Sequence, residues 1–563
     1  MRITMFRVFS VLITVLSFSL SWNLSIVEAK ERPEIRLVLQ ITVDGLRGDL
    51  LDRYGAGFGK DGFQYLIKNG TRYTNAQYQH ANTETIVGHA TLATGTFPSE
   101  HGMVGNVWYD REAGELSYNI EDARYPLLPT REKEFEGEQV DPAQKLSRTQ
   151  GRSPAVMLAP TLSDTMSAYY GGRSKVFGVS GKDRSAVSMA GHAGKSFWFS
   201  TNTGDFVTST YYFKDYPQWV SEWNGQLQAE KLAGTSWKLS DDPSTYLLAG
   251  QDDRPYEADL KGYGRVFPHP FGEADDKLLY TRLLVSPVGD ELLLDFSKSL
   301  VINEGLGQDR FPDYLSISFS SVDAVNHFFG PSSLENEEVV RRLDITLADL
   351  LAFIDKTVGL EHTLIVFSAD HGMAEMPEYM TELGFEAGRL DPDDLVKKAN
   401  EAGKPLGIDE AVRFFFRPYL YLDEGKIAAA NLEQAVVERA IAEALTDLPG
   451  IAVALPGSGL KSQQGGPLKK PVLRNHHRSR SGDIYVIQEP YWFLYEKGPV
   501  RAMHGSPYKY DSHVPIIFAG PGVDAQTVHR TVHPVDVAPT IAAYLGMTPP
   551  ASSQGVPLEE VLD

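Results

Sequence analysis

Apolar residues in this chain gather in short runs that stop abruptly at polar ones. Ile35 to Val43 (IRLVLQITV) stops at Asp44, and Lys175 to Val179 stops at Ser180-Gly181-Lys182-Asp183-Arg184. Tyr314 to Phe319 leads to Ser320-Ser321-Val322-Asp323, and Thr363 to Phe367 leads to Ser368-Ala369-Asp370-His371-Gly372. Pro515 to Ala519 stops at Gly520-Pro521-Gly522. Apolar runs without alternation predict strands buried on both faces of a mainly parallel sheet. Between them, Glu335 to Val358 places apolar residues at 339, 340, 343, 347, 350, 351 and 354, the stripe of an amphipathic helix. Leu432 to Leu445 is a second such stretch. Alternating strands and helices predict an α/β core with helices on both faces. Ligands of such sheets bind beyond the carboxyl ends of the strands, where these polar residues stand.

Three stretches depart from that rhythm. At the start, Arg2 and Arg7 precede an apolar run from Val8 to Leu20, and Val27-Glu28-Ala29 offers small residues at the spacing signal peptidase reads. Residues 1–29 are expected to be a secretory signal peptide, and the rest of the chain, 30–563, the mature protein exported to the periplasm or medium. The run is too short for a membrane span, and no later stretch is long and apolar enough for one. Residues 190–300 mix aromatics, Gly, Pro and Asp and are expected to form an insertion that caps the sheet edge. Residues 378–483 hold a second insertion, ending in the basic, Gly/Gln/Ser-rich stretch from Leu460 to Asp483, which reads as a solvated loop.

Charge and cysteine content narrow the chemistry. The formal net charge of −21 argues against a nucleic-acid partner, which needs basic surface. There is no Cys, which excludes disulfides, thiolate metal sites and a Cys nucleophile.

The strand ends supply what remains. Asp323 and His327 stand four apart, on one face if a helical turn follows the strand. Asp370-His371 follows a buried strand at once, Asp44 follows the first, and His504 lies in a loop before the strand at 515. Taken singly, each is ordinary; a lone Asp at a strand end is usually a cap or a surface residue. Together, three Asp and three His at one sheet edge make an oxygen and imidazole donor set that suits a divalent metal, zinc foremost. Six ligands exceed one catalytic zinc and fit a pair of metals, as in enzymes that displace at phosphorus. Thr85, in Asn82-Thr83-Glu84-Thr85-Ile86-Val87-Gly88-His89-Ala90, is expected at a helix start, where backbone amides favour an anion. Beside a metal its hydroxyl can serve as a nucleophile without a His base. His89 is expected to be a structural hydrogen-bonding residue.

Asp44, the Thr85 T-x-x-G-H-A segment, Asp323-x-x-x-His327, Asp370-His371-Gly372 and His504, in this order, resemble the alkaline phosphatase superfamily. So do ITVDGLRGDLLDRY near the start and HPVDVAPTIAAYLGM near the end, and the likeness runs from about residue 35 to 560. Gly105-Asn106-Val107-Trp108-Tyr109-Asp110 and Gly181-Lys182-Asp183-Arg184 are similar to the active-site Asn segment and Lys-x-Arg pair of the monomeric, periplasmic PafA-type bacterial phosphatases. The Thr-Ile-Val-Gly segment differs from the Thr-Ala-Pro-Gly expected of relatives.

The resemblance implies two zinc ions per chain, one on Asp44, Thr85, Asp370 and His371, the other on Asp323, His327 and His504. It implies a Thr85 nucleophile, a phosphate clamp of Asn106, Lys182 and Arg184, small phosphate monoesters as substrates, and a monomer. A dianionic monoester uses both cations of such a clamp, whereas a diester leaves them partly idle. The alternatives are a phosphodiesterase or nucleotide pyrophosphatase of the same superfamily, and a secreted binding protein that has lost catalysis.

Overall fold

The computed structural model describes residues 34–130, 137–462, 466–494 and 498–562; the expected signal peptide lies outside them. Its centre is a nine-stranded sheet. In chain order the strands are β1 (Leu37–Val43), β2 (Gly70–Gln77), β3 (Val176–Ser180), β4 (Lys195–Phe199), β5 (Phe206–Val207), β6 (Asp313–Phe319) and β7 (Thr363–Ser368). A four-stranded sheet follows, made of β8 (Val412–Phe416), β9 (Tyr419–Leu422), β10 (Ile451–Pro456) and β11 (Ile484–Gln488). The chain then returns to the main sheet with β12 (His513–Ala519) and β13 (Gln526–Val528).

Across the main sheet the order is β13-β2-β12-β7-β1-β6-β3-β4-β5. The five strands β7, β1, β6, β3 and β4 are parallel, and β1, β3, β6 and β7 are buried along their whole length. This is the two-sided burial that their unalternating sequences require. β12 differs from its neighbours, pairing antiparallel with β7 and with β2. Its Gly520-Pro521-Gly522 end therefore points away from the edge reached by β1, β6 and β7. Its start, fed by the loop carrying His504, lies at that edge.

The long amphipathic helix is observed as Leu334–Thr357 and the second as Gln434–Thr446, within two residues of the expected bounds. Part of 190–300 belongs to the main sheet as β4 and β5. Trp223, Trp237, Tyr246 and Phe271 from the rest join the same apolar core as β1 and β6. The second insertion builds a core of its own, in which Leu420 and Leu422 pack with Ile441, Leu445 and Ile484. The turn between β8 and β9 carries Arg417 toward the main sheet. The basic stretch 460–483 contains a helix, Lys469–Asn475, anchored by buried Val472 and Asn475.

Candidate active site

Three strands and one loop deliver the acidic and imidazole groups. Asp44 follows β1, with Gly45 behind it at φ +73; a Cβ there would stand 2.9 Å from Asp323 Cβ, so only glycine lets the two strand ends approach. Asp323 and His327 lie one turn apart on the helix Ser321–Phe329 that leaves β6. Asp370 and His371 follow β7 directly. Asp44, Asp323, Asp370 and His371 are fully buried.

Each of the three histidines is oriented by its backbone contact. His327 Nδ1 lies 2.9 Å from Ala502 O, His371 Nδ1 2.8 Å from Gly372 O, and His504 Nδ1 2.8 Å from Thr83 O. Every Nε2 is thereby turned toward the carboxylates. His327 Nε2 is 3.2 Å from Asp323 Oδ2, His371 Nε2 is 3.3 Å from both Asp44 Oδ1 and Asp370 Oδ2, and His504 Nε2 is 3.6 Å from Asp323 Oδ1. Backbone carbonyls that hold the far nitrogen are the usual outer support of metal-binding imidazoles.

Five of these groups fall into two sets that share His371 and whose donor atoms lie within 4.8 Å of one another: Asp44, Asp370 and His371, and Asp323, His371 and His504; His327 stands outside both and reaches the second through Asp323 Oδ2. Asp44 Oδ1, Asp323 Oδ1, Asp370 Oδ2 and His371 Nε2 are buried without a hydrogen-bond partner, and Asp44 Oδ2 is met by the Lys182 amine. Buried polar atoms are ordinarily hydrogen-bonded, so converging orphans of this donor type fit divalent cations.

The electrostatics are correspondingly strained. Burial and the Asp44 charge push the Asp370 carboxyl up. Burial and Asp323 act the same way on Asp44, but Lys182 and His371 outweigh them and hold it at about 2. Burial disfavours the charged His371 imidazole, yet Asp370 and Asp44 raise it to about 9. Burial pushes His504 down, and His371 beside it adds to the effect. The two rings stack at 3.6 Å.

Thr85 opens the helix Thr85–Thr94 and is fully buried. Gly88 is required one turn on, because a Cβ there would fall 2.0 Å from the carbonyl oxygen of Asp370. His89 Nδ1 lies 2.9 Å from Thr85 O and 3.1 Å from Asp370 Oδ2, and its Nε2 2.8 Å from Ser318 Oγ.

Asn106 Oδ1 accepts the Ile86 N–H at 3.1 Å, which leaves the amide nitrogen for the adjoining cavity. Arg184 is buried, with Nη2 3.5 Å from Thr85 Oγ1 and Nη1 2.7 Å from Asp141 Oδ2. Lys182 Nζ is 2.8 Å from Asp44 Oδ2 and is also paired with Asp323. The amine thus sits between the acidic groups, at the rim shared by both donor sets.

All ten residues singled out in the sequence stand around this one sheet edge. Glu84, Asn106, Lys182, Arg184, Asp323, His327 and His504 line a common cavity of about 380 Å³. Sequence reasoning missed three supports. Glu84 Oε2 accepts the Asn106 N–H at 2.5 Å, and Glu84 Oε1 lies 3.3 Å from Arg417. Arg417 also donates to His504 O at 3.1 Å. Asp141 faces Arg184. Glu84 stands beside Thr85 and was open to suspicion, but no local pattern marks Arg417 or Asp141, which arrive from remote segments.

The family described as type I phosphodiesterase/nucleotide pyrophosphatase matches residues 38–507. A protein of Elizabethkingia meningoseptica named alkaline phosphatase PafA is 31% identical over 538 residues, covering 94% of this chain and 95% of the relative. A protein of Myroides odoratus named calcium-transporting ATPase is 31% identical over 560 residues, covering 98% and 99%. Among the described residues no helix is long and apolar enough to cross a membrane. The crystal structure of wild-type alkaline phosphatase PafA superposes with a TM-score of 0.84 at 30% identity, over 94% of this chain and 99% of that one.

Proposed function

The chain belongs to the type I phosphodiesterase/nucleotide pyrophosphatase family, and we propose that within it the protein is an exported, monomeric, metal-dependent alkaline phosphatase that releases inorganic phosphate from monoesters. The observation that carries this reading is the convergence at one sheet edge of the six Asp and His side chains, four of them with orphaned donor atoms, beside a cavity that Asp323, His327 and His504 line together with the cations Lys182 and Arg184.

Asp44, Asp370 and His371 would hold one zinc ion beside Thr85, and Asp323, His327 and His504 a second. Zinc bound there supplies the positive charge that lowers the proton affinity of a neighbouring hydroxyl and of a departing alkoxide. Arg184 offers a planar fork and Asn106 a neutral amide donor to the non-bridging oxygens of the substrate, and Lys182 adds a second positive charge. Thr85 Oγ1 attacks phosphorus in line, the Thr85 O–P bond forms as the ester P–O bond breaks, and the alcohol leaves. Water then attacks the phosphothreonine from the opposite side, releasing phosphate and restoring Thr85. Asp141, paired with Arg184, keeps the guanidinium aimed along the nucleophile.

A clamp with two cations is built for a dianion, and that preference decides between phosphatase and phosphodiesterase. The test compares kcat/KM for p-nitrophenyl phosphate and bis-p-nitrophenyl phosphate at pH 8 to 9. A strong monoester preference, abolished by chelator and restored by zinc, is expected. A diester preference would move the protein to the phosphodiesterase branch and leave Lys182 and Arg184 without the proposed role.

A further inference from the structure

One feature of the sequence takes no part in this chemistry. Residues 448–482 contain no Asp or Glu, although the chain carries 74 of them, and they hold Lys461, Lys469, Lys470, Arg474, Arg478 and Arg480. The fold turns the described part of this stretch into a built surface. The helix Lys469–Asn475 is pinned from below: Asn475 Oδ1 accepts the Asn82 N–H at 3.0 Å, and Asn475 Nδ2 donates to Val104 O at 3.1 Å and to Tyr419 Oη at 2.6 Å. It packs beside the short helix Pro98–His101.

The cations on this face have little acidic compensation. Arg474 lies over the Phe97 ring at 4.7 Å, and burial alone shifts it, downward. Arg480 spends its guanidinium on Gly102 O and Val156 O, at 2.6 and 2.8 Å, and stacks on Trp108 at 4.9 Å. Burial takes Arg480 down to about 10, with Asp110 acting weakly against it. Lys470 and Arg478 are exposed. Lys469 is tied to Ser462 at 2.7 and 2.8 Å. Beneath the face, burial keeps the His80 and His101 imidazoles neutral. The nearby carboxylates are Asp110, the exposed Glu100 of the neighbouring helix, and Asp483, which acts on His476 but is paired with Arg111 at 2.8 Å.

Two leucines are exposed among these cations. Leu473 is 39% exposed, between buried Val472 and Arg474. Leu158 is 53% exposed and meets the Arg480 guanidinium at Gly102, where a Cβ would touch Leu158 Cδ1 at 2.8 Å and Arg480 Nη1 at 2.6 Å. Exposed leucines set among long cationic side chains are the composition of a surface that lies against anionic lipid, the cations meeting headgroups while apolar tips enter the boundary. A soluble polyanion would use the cations alone. The acidic remainder of the protein does not cancel the attraction, because at physiological salt charges are screened beyond roughly 8 Å.

We propose that the face formed by Lys470, Leu473, Arg474, Arg478 and Leu158 docks the enzyme on anionic lipid headgroups. Bound this way, the protein would work at a membrane surface while remaining removable by salt.

The test is co-sedimentation of the full mature protein with vesicles of phosphatidylcholine alone and of phosphatidylcholine with one-third phosphatidylglycerol. Binding to the anionic vesicles only, reduced by raising salt from 50 to 300 mM, is expected. Each cation near such a surface contributes roughly fivefold in affinity, so the K470E/R474E/R478E variant should lose about a hundredfold or more. K470E/R478E, altered only at exposed positions, should lose at least twentyfold and guards against a folding defect at Arg474. L158S/L473S should weaken vesicle binding several-fold. All three variants should keep the wild-type kcat/KM on p-nitrophenyl phosphate, since none touches the active site. Failure of the wild type to bind anionic vesicles at 50 mM salt, or undiminished binding by K470E/R478E, overturns the proposal. Undiminished binding by L158S/L473S overturns it in favour of a soluble polyanion.

Discussion

Replacing Arg417 by Ala removes a strut between the Glu84-Thr85 segment and the loop that carries His504. Its guanidinium lies 3.3 Å from Glu84 Oε1 and donates to His504 O at 3.1 Å, with side-chain exposures of 11% for Arg417 and 2% for Glu84. Removing one partner of a buried ion pair costs about 3–5 kcal/mol. Glu84 keeps the Asn106 N–H at 2.5 Å and the Asn82 amide at 3.3 Å, so the lower end of that range applies here. Part of the loss appears as stability and part as displacement of Asn106, Thr85 and His504, all joined to Glu84 or Arg417. Losing an outer support of a metal site typically lowers activity about 10–100-fold, roughly 1.4–2.8 kcal/mol in the barrier. The assay is kcat/KM on p-nitrophenyl phosphate for Arg417→Ala, Glu84→Gln and the double variant, with zinc content and Tm for each. The two losses should overlap by about 1–3 kcal/mol because both act through one contact. Activity within twofold of wild type for Arg417→Ala, or losses that simply add, would refute the strut.

Other outcomes follow from the same geometry. Thr85→Ala should cut kcat/KM on p-nitrophenyl phosphate by roughly 10³-fold or more while zinc content and Tm persist; near-wild-type turnover removes Thr85 as nucleophile. Lys182→Ala with Arg184→Ala should reduce monoester hydrolysis far more than diester hydrolysis, and equal losses would show that the pair does not read the dianion. Gly88→Ala drives a Cβ to 2.0 Å from Asp370 O, so overpacking of about 1–3 kcal/mol and loss of bound zinc are expected, read by Tm and metal analysis. Burial holds the His80 imidazole at about 3, and both its nitrogens lack hydrogen-bond partners. Between about pH 6.5 and 3 the unfolded chain takes up a proton there that the folded protein refuses, so stability falls as pH drops through that window, by about 1.4 kcal/mol per pH unit. His80→Phe should flatten this acid limb of Tm against pH, and an unchanged slope would contradict it.

Local patterns of apolar and polar residues were enough to place the strands and the edge at which they end. β1, β3, β6 and β7 have apolar runs that only two-sided burial satisfies, and each stops at the residues that line the site. Periodicity likewise located the helices at 334–357 and 434–446, because a 3.6-residue stripe is a local property. The candidate site was legible for the same reason: Asp44, Asp323 with His327, and Asp370 with His371 sit at strand ends, and parallel strands bring such ends to one edge. The remaining features depend on contacts between segments far apart in the chain. That β12 runs antiparallel depends on how the chain re-enters the sheet, and it is this direction that puts His504 beside Asp323. Arg417 and Asp141 carry no local signal, since a lone Arg in a hairpin turn or a lone Asp before a Pro is defined by what it meets across the fold. The basic stretch read as a loop because its composition is that of one. Its helix is held by Val472 and Asn475 against residues 82, 104 and 419, contacts that no window of sequence contains.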